Sequence, residues 1–249
     1  MSADQIEINE IFGPTFQGEG TAAGQHCLFI RVAQCNLQCH WCDTPFTWAY
    51  TREKAQAHQS GKQWTRTEQI HRMPPAQVLN ELQLLWDVAE RPTIIVVSGG
   101  EPMMQQMQLI PVLERLVAWG NRVHIETAGT LRPISAFDDL VTQYNVSPKL
   151  ASSGNREAKR FKPLVLERFV GDHKAHFKFV VTSPNDFWEL DGIVVQLNLP
   201  AWRVQVMPEG TTLERNLEVA KEIADEALAR GWGLSLRTHV ALWGDERGK

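Results

Sequence analysis

The 249 residues, 43% hydrophobic and 22% charged, have the composition of an ordinary folded chain, long enough for one large domain or two small ones. A formal net charge of -4 argues against bulk attraction to nucleic acid, and no apolar run approaches the roughly 20 residues needed to cross a bilayer. The expected setting is the cytosol, where thiols stay reduced, with no nucleic-acid or membrane partner.

Ile6 to Phe12 alternates apolar and polar residues as a half-buried strand does, and the segment Gly13 to Gly20 then reads as a shaped loop. Its glycines allow close backbone approach to a ligand, with Gln17 and Glu19 supplying hydrogen bonds; a plain connection between strands fits the same residues. A strand from His26 to Val32 follows. Its Arg31 suits an outward salt bridge or a bidentate clamp on a carboxylate, and its Cys27 reads as a small core residue. Beyond it lie the other three cysteines, Cys35, Cys39 and Cys42. The polar stretch Thr47 to Met73 shows no clear apolar period and is expected to form an elaborated, partly mobile excursion, at about 45–74, within a single domain spanning the chain.

Pro74-Pro75 opens a helix over Pro75 to Glu90, with Val78, Leu79, Leu82, Leu85 and Trp86 on one face. Thr93 to Val97 is a β-branched run suited to a strand buried on both faces, and it ends in Ser98-Gly99-Gly100-Glu101-Pro102. A helix over Met107 to Trp119, a strand over Arg122 to Glu126 and a strand over Leu140 to Val146 ending at Ser147-Pro148-Lys149 continue the alternation, and Ala151 to Asn155 opens a loop. Strands are expected at His176 to Val181, Trp202 to Met207 and Gly233 to Arg237. Between the last two, Thr212 to Arg230 has an apolar stripe, a threonine cap and a terminal Gly231. The pattern is α/β, an incomplete (β/α) barrel, since too few helices are apparent for an eightfold one. Chemistry in such barrels sits at the C-terminal strand ends, which here carry the cysteine loop, Ser98 to Glu101, Glu126, Ser147 to Lys149 and Gln205 to Pro208.

Three thiolates on one short loop can hold three irons of a 4Fe-4S cluster and leave the fourth open to another molecule. Zinc could use the same thiolates with His40 or His26, although no second Cys or His pair with zinc-knuckle spacing follows. A disulfide framework is not needed in a chain of this size.

The C-x₃-C-x₂-C spacing resembles that of radical S-adenosylmethionine enzymes, in which the amino and carboxylate groups of S-adenosylmethionine chelate the open iron. More specifically, FGPTFQGEG, CNLQCHWCDT, SGGEP, ETAGT, SPK and QVMP, in this order, resemble the 7-carboxy-7-deazaguanine synthase family over nearly the whole chain. Glycyl-radical activating enzymes share the cysteine spacing, but the QGEG and SPK segments favour the synthases. A zinc-stabilised binding module is the remaining alternative.

The resemblance implies ring contraction of 6-carboxytetrahydropterin to 7-carboxy-7-deazaguanine with loss of ammonia, on the route to queuosine. It implies a 4Fe-4S cluster on Cys35, Cys39 and Cys42, with S-adenosylmethionine bordered by Trp41, Cys42, Asp43, Gly100, Glu101, Ser147, Pro148, Lys149 and Gln205. Thr44 matches the family position that contacts Mg²⁺. Substrate would be held by Phe16, Gln17, Gly18, Glu19, Arg31, Ser98, Glu126 and His239, with Glu126 as the catalytic carboxylate. A flavodoxin-like or ferredoxin-like electron donor and a homodimer are also implied. Some members of the family end shortly after the Thr-His pair, whereas this sequence continues past Thr238-His239 through LWGDERGK.

Overall fold

The computed structural model describes residues 5–86 and 94–249. β1 (Ile6–Phe16) pairs antiparallel with β2 (His26–Val32). The chain then makes α1 (Arg52–Ala57) and α2 (Arg66–Gln69) and returns as β3 (His71–Met73), antiparallel to β1. α3 (Pro75–Trp86) leads to β4 (Ile94–Gly99), and the expected helix end at Glu90 and strand start at Thr93 lie outside the described residues. There follow α4 (Gln106–Ala118), β5 (Arg122–Thr127), α5 (Ser135–Asp138), β6 (Gln143–Val146), α6 (Glu157–Arg160), α7 (Pro163–Val170) and β7 (Ala175–Val181). The chain closes with α8 (Asp186–Leu197), β8 (Val204–Pro208), α9 (Leu213–Ala229), β9 (Gly233–Leu234) and α10 (Thr238–Trp243).

The strand order is β3-β1-β2-β4-β5-β6-β7-β8-β9, and every pairing from β2 to β9 is parallel. Among the described residues β3 and β9 remain unjoined, so the sheet is the incomplete barrel expected. Register follows from the two-residue side-chain period. Ile95, Val97, Val123, Ile125, Phe177, Phe179, Val204 and Val206 point outward into one continuous core with the helices. Their neighbours point inward: Cys27, Phe29, Ile94 and Val96 form a small apolar floor, and Arg31, Ser98, Glu126 and Lys178 line a cavity. A one-residue slip in β5 or β7 would bury Val123 or Phe179 in the cavity and turn Glu126 or Lys178 into the helices.

Several boundaries differ from the sequence reading. β1 runs on through Phe16, because Thr15 and Phe16 still pair with Cys27 and His26 after a register shift that absorbs the Gly13-Pro14 kink. The polar excursion carries α1, α2 and an edge strand, with Trp48, Ala49, Ala55 and His58 buried, an anchoring that its composition concealed. α7 and α8 correct the low helix count. In α8, Phe187, Leu190, Ile193 and Leu197 are buried while Trp188 and Val195 are exposed, so apolar residues on both faces hide the stripe. β9 stops at Leu234, and Arg237 instead precedes α10. The strongest helix signal holds: the Thr212 hydroxyl caps α9 by accepting from Arg215 N at 3.2 Å, and Gly231 takes a φ of +68° just beyond it.

Candidate active site

The cysteine loop leaves the C-terminal end of β2 and is clamped by the end of β4. Gly100 N donates to Val32 O at 3.0 Å and Glu101 N to Gln34 O at 2.8 Å. A Cβ at Gly100 would stand 1.8 Å from Gln34 O, which explains a glycine there on packing grounds alone. Each thiol of the loop has an N–H donor. Leu37 N donates to Cys35 Sγ at 3.4 Å, Asn155 Nδ2 to Cys39 Sγ at 3.3 Å and Trp48 Nε1 to Cys42 Sγ at 3.3 Å. Leu37, Cys39 and Ala128, with Trp41 against them, give the sulfurs an apolar surround.

Burial, with the Glu101 charge nearby, pushes the Cys35 thiol up; burial pushes Cys39 up to about 12 against the pull of Lys149, and burial with Asp43 raises Cys42. Three such thiols oppose one another's ionisation, whereas a cationic cluster would take them all as thiolates, and hydrogen bonds to the sulfurs tune clusters of this kind. Among the described residues no three His, Cys, Asp or Glu side chains converge as ligands of a single metal ion. Three thiols of one loop, each with an N–H donor and set in an apolar surround, fit the cluster.

Facing the loop is a charged wall drawn from the turn after β1, from β5 and β7, and from the start of α10. Gln17 Nε2 donates to Glu126 Oε1 at 2.9 Å. Lys178 is ion-paired with Glu19 and stands 3.8 Å from Glu126 Oε2. Arg237 donates through Nε to Glu19 Oε1 at 2.9 Å and through Nη1 to Gly210 O at 2.8 Å, and its Nη2 meets Asp43. His239 Nε2 is 3.3 Å from that same Nη2, and its ring lies over Gly18, where a Cβ would come within 1.8 Å of Nδ1. Burial opposes ionisation of Glu19, but Lys178 and Arg237 hold its carboxyl well below the usual range. Burial likewise opposes the Lys178 ammonium, and Glu126 and Glu19 more than offset it, so its pKa is raised. Glu19 is thereby saturated by two cations. Glu126 keeps acceptor capacity on Oε2 toward the cavity.

Both walls open onto one cavity of about 510 Å³, a size suited to a small ligand and cofactor. The cavity reaches the three cysteines, Trp41, Asp43 and Thr44 on the loop side, and Gly100, Ser147 and Lys149 at the ends of β4 and β6. Lys149 Nζ donates to Ser147 Oγ at 2.9 Å and lies 5.6 Å from the centre of the Trp41 ring. It also reaches Phe16, Gln17, Gly18, Glu19, Arg31, Ser98, Glu126 and His239. Arg31 is not free there: its Nε donates to Glu10 Oε1 at 2.6 Å.

Three expected cofactor residues are not among those lining it. The Glu101 carboxylate is buried, accepting from Met103 N, Thr127 Oγ1 and Ala128 N at 3.1, 2.8 and 2.8 Å, and so ties β4 to β5. Pro148 lies outside the lining, and Gln205 sits deeper, beside Gly20 and Gly233. Sequence reasoning missed Lys178 and Arg237. Lys178 carried a usable signal, a lone charge in the apolar run Ala175 to Val181, like Arg31 in β2; Arg237 had only its position beside Thr238-His239.

Comparison with known proteins shows the family and the fold. The model of a family described as a 4Fe-4S single cluster domain matches residues 16–147. The chain is 30% identical over 250 residues to the 7-carboxy-7-deazaguanine synthase of Pyrobaculum aerophilum, covering 100% of each chain. It is 33% identical over 263 residues to that of Bacillus subtilis, covering 99% of each. The crystal structure of QueE from Escherichia coli superposes with a TM-score of 0.66 at 26% identity, over 94% of this chain and 95% of that one. Streptococcus suis SuiB, solved bound to S-adenosylmethionine, shares the fold with a TM-score of 0.51 at 13% identity, over 82% of this chain and 47% of its own.

Proposed function

The chain belongs to the 7-carboxy-7-deazaguanine synthase family, and from that premise we propose that its cavity is where 6-carboxytetrahydropterin is contracted to 7-carboxy-7-deazaguanine with loss of ammonia. The observation that carries the reading is the meeting of the thiol loop and the charged wall in one cavity. When bound, the cluster and S-adenosylmethionine supply one-electron reduction and hydrogen-atom abstraction, and the protein supplies position and shelter.

Cys35, Cys39 and Cys42 hold the cluster. Trp41, Asp43, Gly100, Ser147 and Lys149 border S-adenosylmethionine, with Glu101, Pro148 and Gln205 shaping that wall from behind. Glu126, oriented by Gln17, accepts from ring N–H groups of the pterin and fixes its C6 in the cavity. Arg31 turns from Glu10 to the pterin carboxylate, while Phe16, Gly18, Glu19, Ser98 and His239 complete the pocket. Thr44 is the protein contact for Mg²⁺, whose small, waters-and-substrate style of coordination needs few side chains. Its hydroxyl makes no bond capping the turn that follows and lies 3.6 Å from Cys42 Sγ.

The proposal extends to a flavodoxin-like or ferredoxin-like electron donor, a homodimer and a cytosolic setting. Among the described residues no helix is long and apolar enough to cross a membrane. The test is anaerobic reconstitution with iron and sulfide analysis, then incubation with reductant, S-adenosylmethionine and 6-carboxytetrahydropterin. Iron, sulfide and the deazaguanine product are expected. Zinc without iron, or S-adenosylmethionine consumed only in proportion to a modified protein partner, would overturn the reading.

A further inference from the structure

The tail beyond Thr238-His239 is seated across the cavity mouth. Gly244, Asp245, Glu246, Arg247 and Lys249 all line the cavity. At one end Trp243 stacks on Phe16, ring centres 6.3 Å apart and planes 10° from parallel. At the other, Arg247 uses its whole guanidinium: Nε donates to Glu10 Oε2 at 2.9 Å, Nη1 to Gln69 Oε1 at 3.0 Å and Nη2 to Asn9 Oδ1 at 2.8 Å. The same group lies 4.1 Å from the centre of the Phe46 ring. Its seat is therefore built from β1, from α2 and from the turn after the cysteine loop.

Glu10 is shared. Its Oε1 accepts from Arg31 Nε at 2.6 Å while its Oε2 accepts from Arg247, so two cations divide one negative charge. We propose that residues 243–249 form a strap over the mouth, and that Glu10 is a positioning residue coupling the seating of this strap to the binding of a carboxylate at Arg31. This rests on the reading above, in which Arg31 turns to the pterin carboxylate. A ligand carboxylate adds a further anion to this site, where Asp43 already lies within electrostatic reach of Arg31. Arg31 then has its own partner, Glu10 is left to Arg247 alone, and the repulsion between the two guanidinium groups is offset. The carboxylated ligand thus tightens the strap, and linkage requires the strap to tighten that ligand by the same factor. A strap so triggered shuts out water when the substrate is in place, at the stage when shelter matters.

The experiment is amide hydrogen exchange of the peptide spanning 243–249 in the full, reconstituted chain under anaerobic conditions, beside direct measurement of ligand affinity. 6-Carboxytetrahydropterin should slow exchange of the strap by about fivefold, and tetrahydropterin lacking the carboxylate should not. Glu10→Gln should abolish the ligand-dependent slowing. Arg247→Ala, at a side chain that is 40% exposed, should free the strap and weaken carboxylated-ligand affinity by about the same fivefold. If Arg31→Lys weakens ligand binding while wild-type strap exchange ignores the ligand, the coupling fails and the Arg31 reading survives. If Arg31→Lys binds the ligand as well as wild type does, that reading fails and the coupling falls with it.

Discussion

The two walls of the cavity are built on opposite principles. On the loop side, three thiols stand in an apolar surround, each touched by a neutral N–H donor, with the charges of Glu101, Asp43 and Lys149 at its margin. On the other side, Glu19, Glu126, Lys178 and Arg237 form a charged network in which the buried Lys178 and Arg237 hold Glu19 ionised. A soft, electron-rich cofactor is served by the first environment, in which removing water raises the influence of every nearby dipole. A polar heterocycle rich in N–H groups and bearing a carboxylate is served by the second, where fixed acceptors and a guanidinium read it group by group.

The contrast is broken most completely at the thiols. Replacing Cys35, Cys39 or Cys42 by Ala should abolish cluster assembly and product formation, whereas Cys27→Ala, in the apolar floor, should leave both largely intact. Wild-type iron content in Cys39→Ala would remove it from the ligand set. On the charged wall the largest expected effect is on stability. Lys178→Met strips the cation from Glu19 and Glu126 in a side chain only 7% exposed, and loss of one member of a buried pair destabilises by about 3–5 kcal/mol. Denaturant unfolding of the cluster-free chain measures it, and an unchanged midpoint would mean the network contributes nothing there.

Two smaller substitutions probe how the charged wall reads its ligand. Glu126→Gln preserves shape but replaces an acceptor oxygen with a donor amide, and a misplacement of about 1 Å can slow a reaction on the order of a hundredfold. Product per cluster should fall by that order while the cluster and S-adenosylmethionine binding persist; full turnover at low and high substrate would return Glu126 to a structural role. Arg31→Lys loses the fork geometry, and since a hydrogen bond to a charged group contributes about 1.5–3 kcal/mol, substrate affinity should drop by about tenfold or more with S-adenosylmethionine binding spared.

The two walls were unequally legible in the sequence for a physical reason. The thiol wall is local: its ligands fall within Cys35 to Cys42, and spacing alone carried the chemistry. Asn155 and Trp48, which donate to two of the sulfurs, left no mark: Asn155 lies 116 residues from its Cys39, and Trp48, only 6 from Cys42, reads as an ordinary apolar residue until the loop is folded. The charged wall is assembled from separate segments, so pattern marked Glu19 in a glycine loop and Glu126 at a strand end, and only family resemblance gave them a shared substrate. Lys178 and Arg237 went unplaced, although they are what keeps Glu19 ionised. For the fold, strands with two-residue alternation such as β5 and β7 were readable, while α8, apolar on both faces, and α7, short and proline-led, were not.

The smallest expected effect concerns His239, where the charged wall meets the tail. Burial lowers its pKa from the ordinary value near 6.5, with Arg237 acting in the same direction and Glu19 and Asp43 against it. A histidine whose folded pKa is depressed binds its proton more readily when unfolded. Its contribution to stability is therefore present above about 6.5 and is lost as pH falls through the depressed folded value. Glu19, also depressed, loses its contribution with the same sign but in a lower window, below the usual carboxylate value of 4.5, so the two separate. His124, pushed down to about 4 by burial, and His176, also lowered, destabilise the acid side of the histidine window in parallel, which is why the wild-type curve alone does not isolate His239. The informative quantity is the difference between wild type and His239→Gln. Between pH 7.5 and 5.5 the variant should lose less stability, by on the order of 1 kcal/mol or less. Parallel curves over that range would show that the ring over Gly18 takes up a proton as easily folded as unfolded, and that the charged wall does not extend to it.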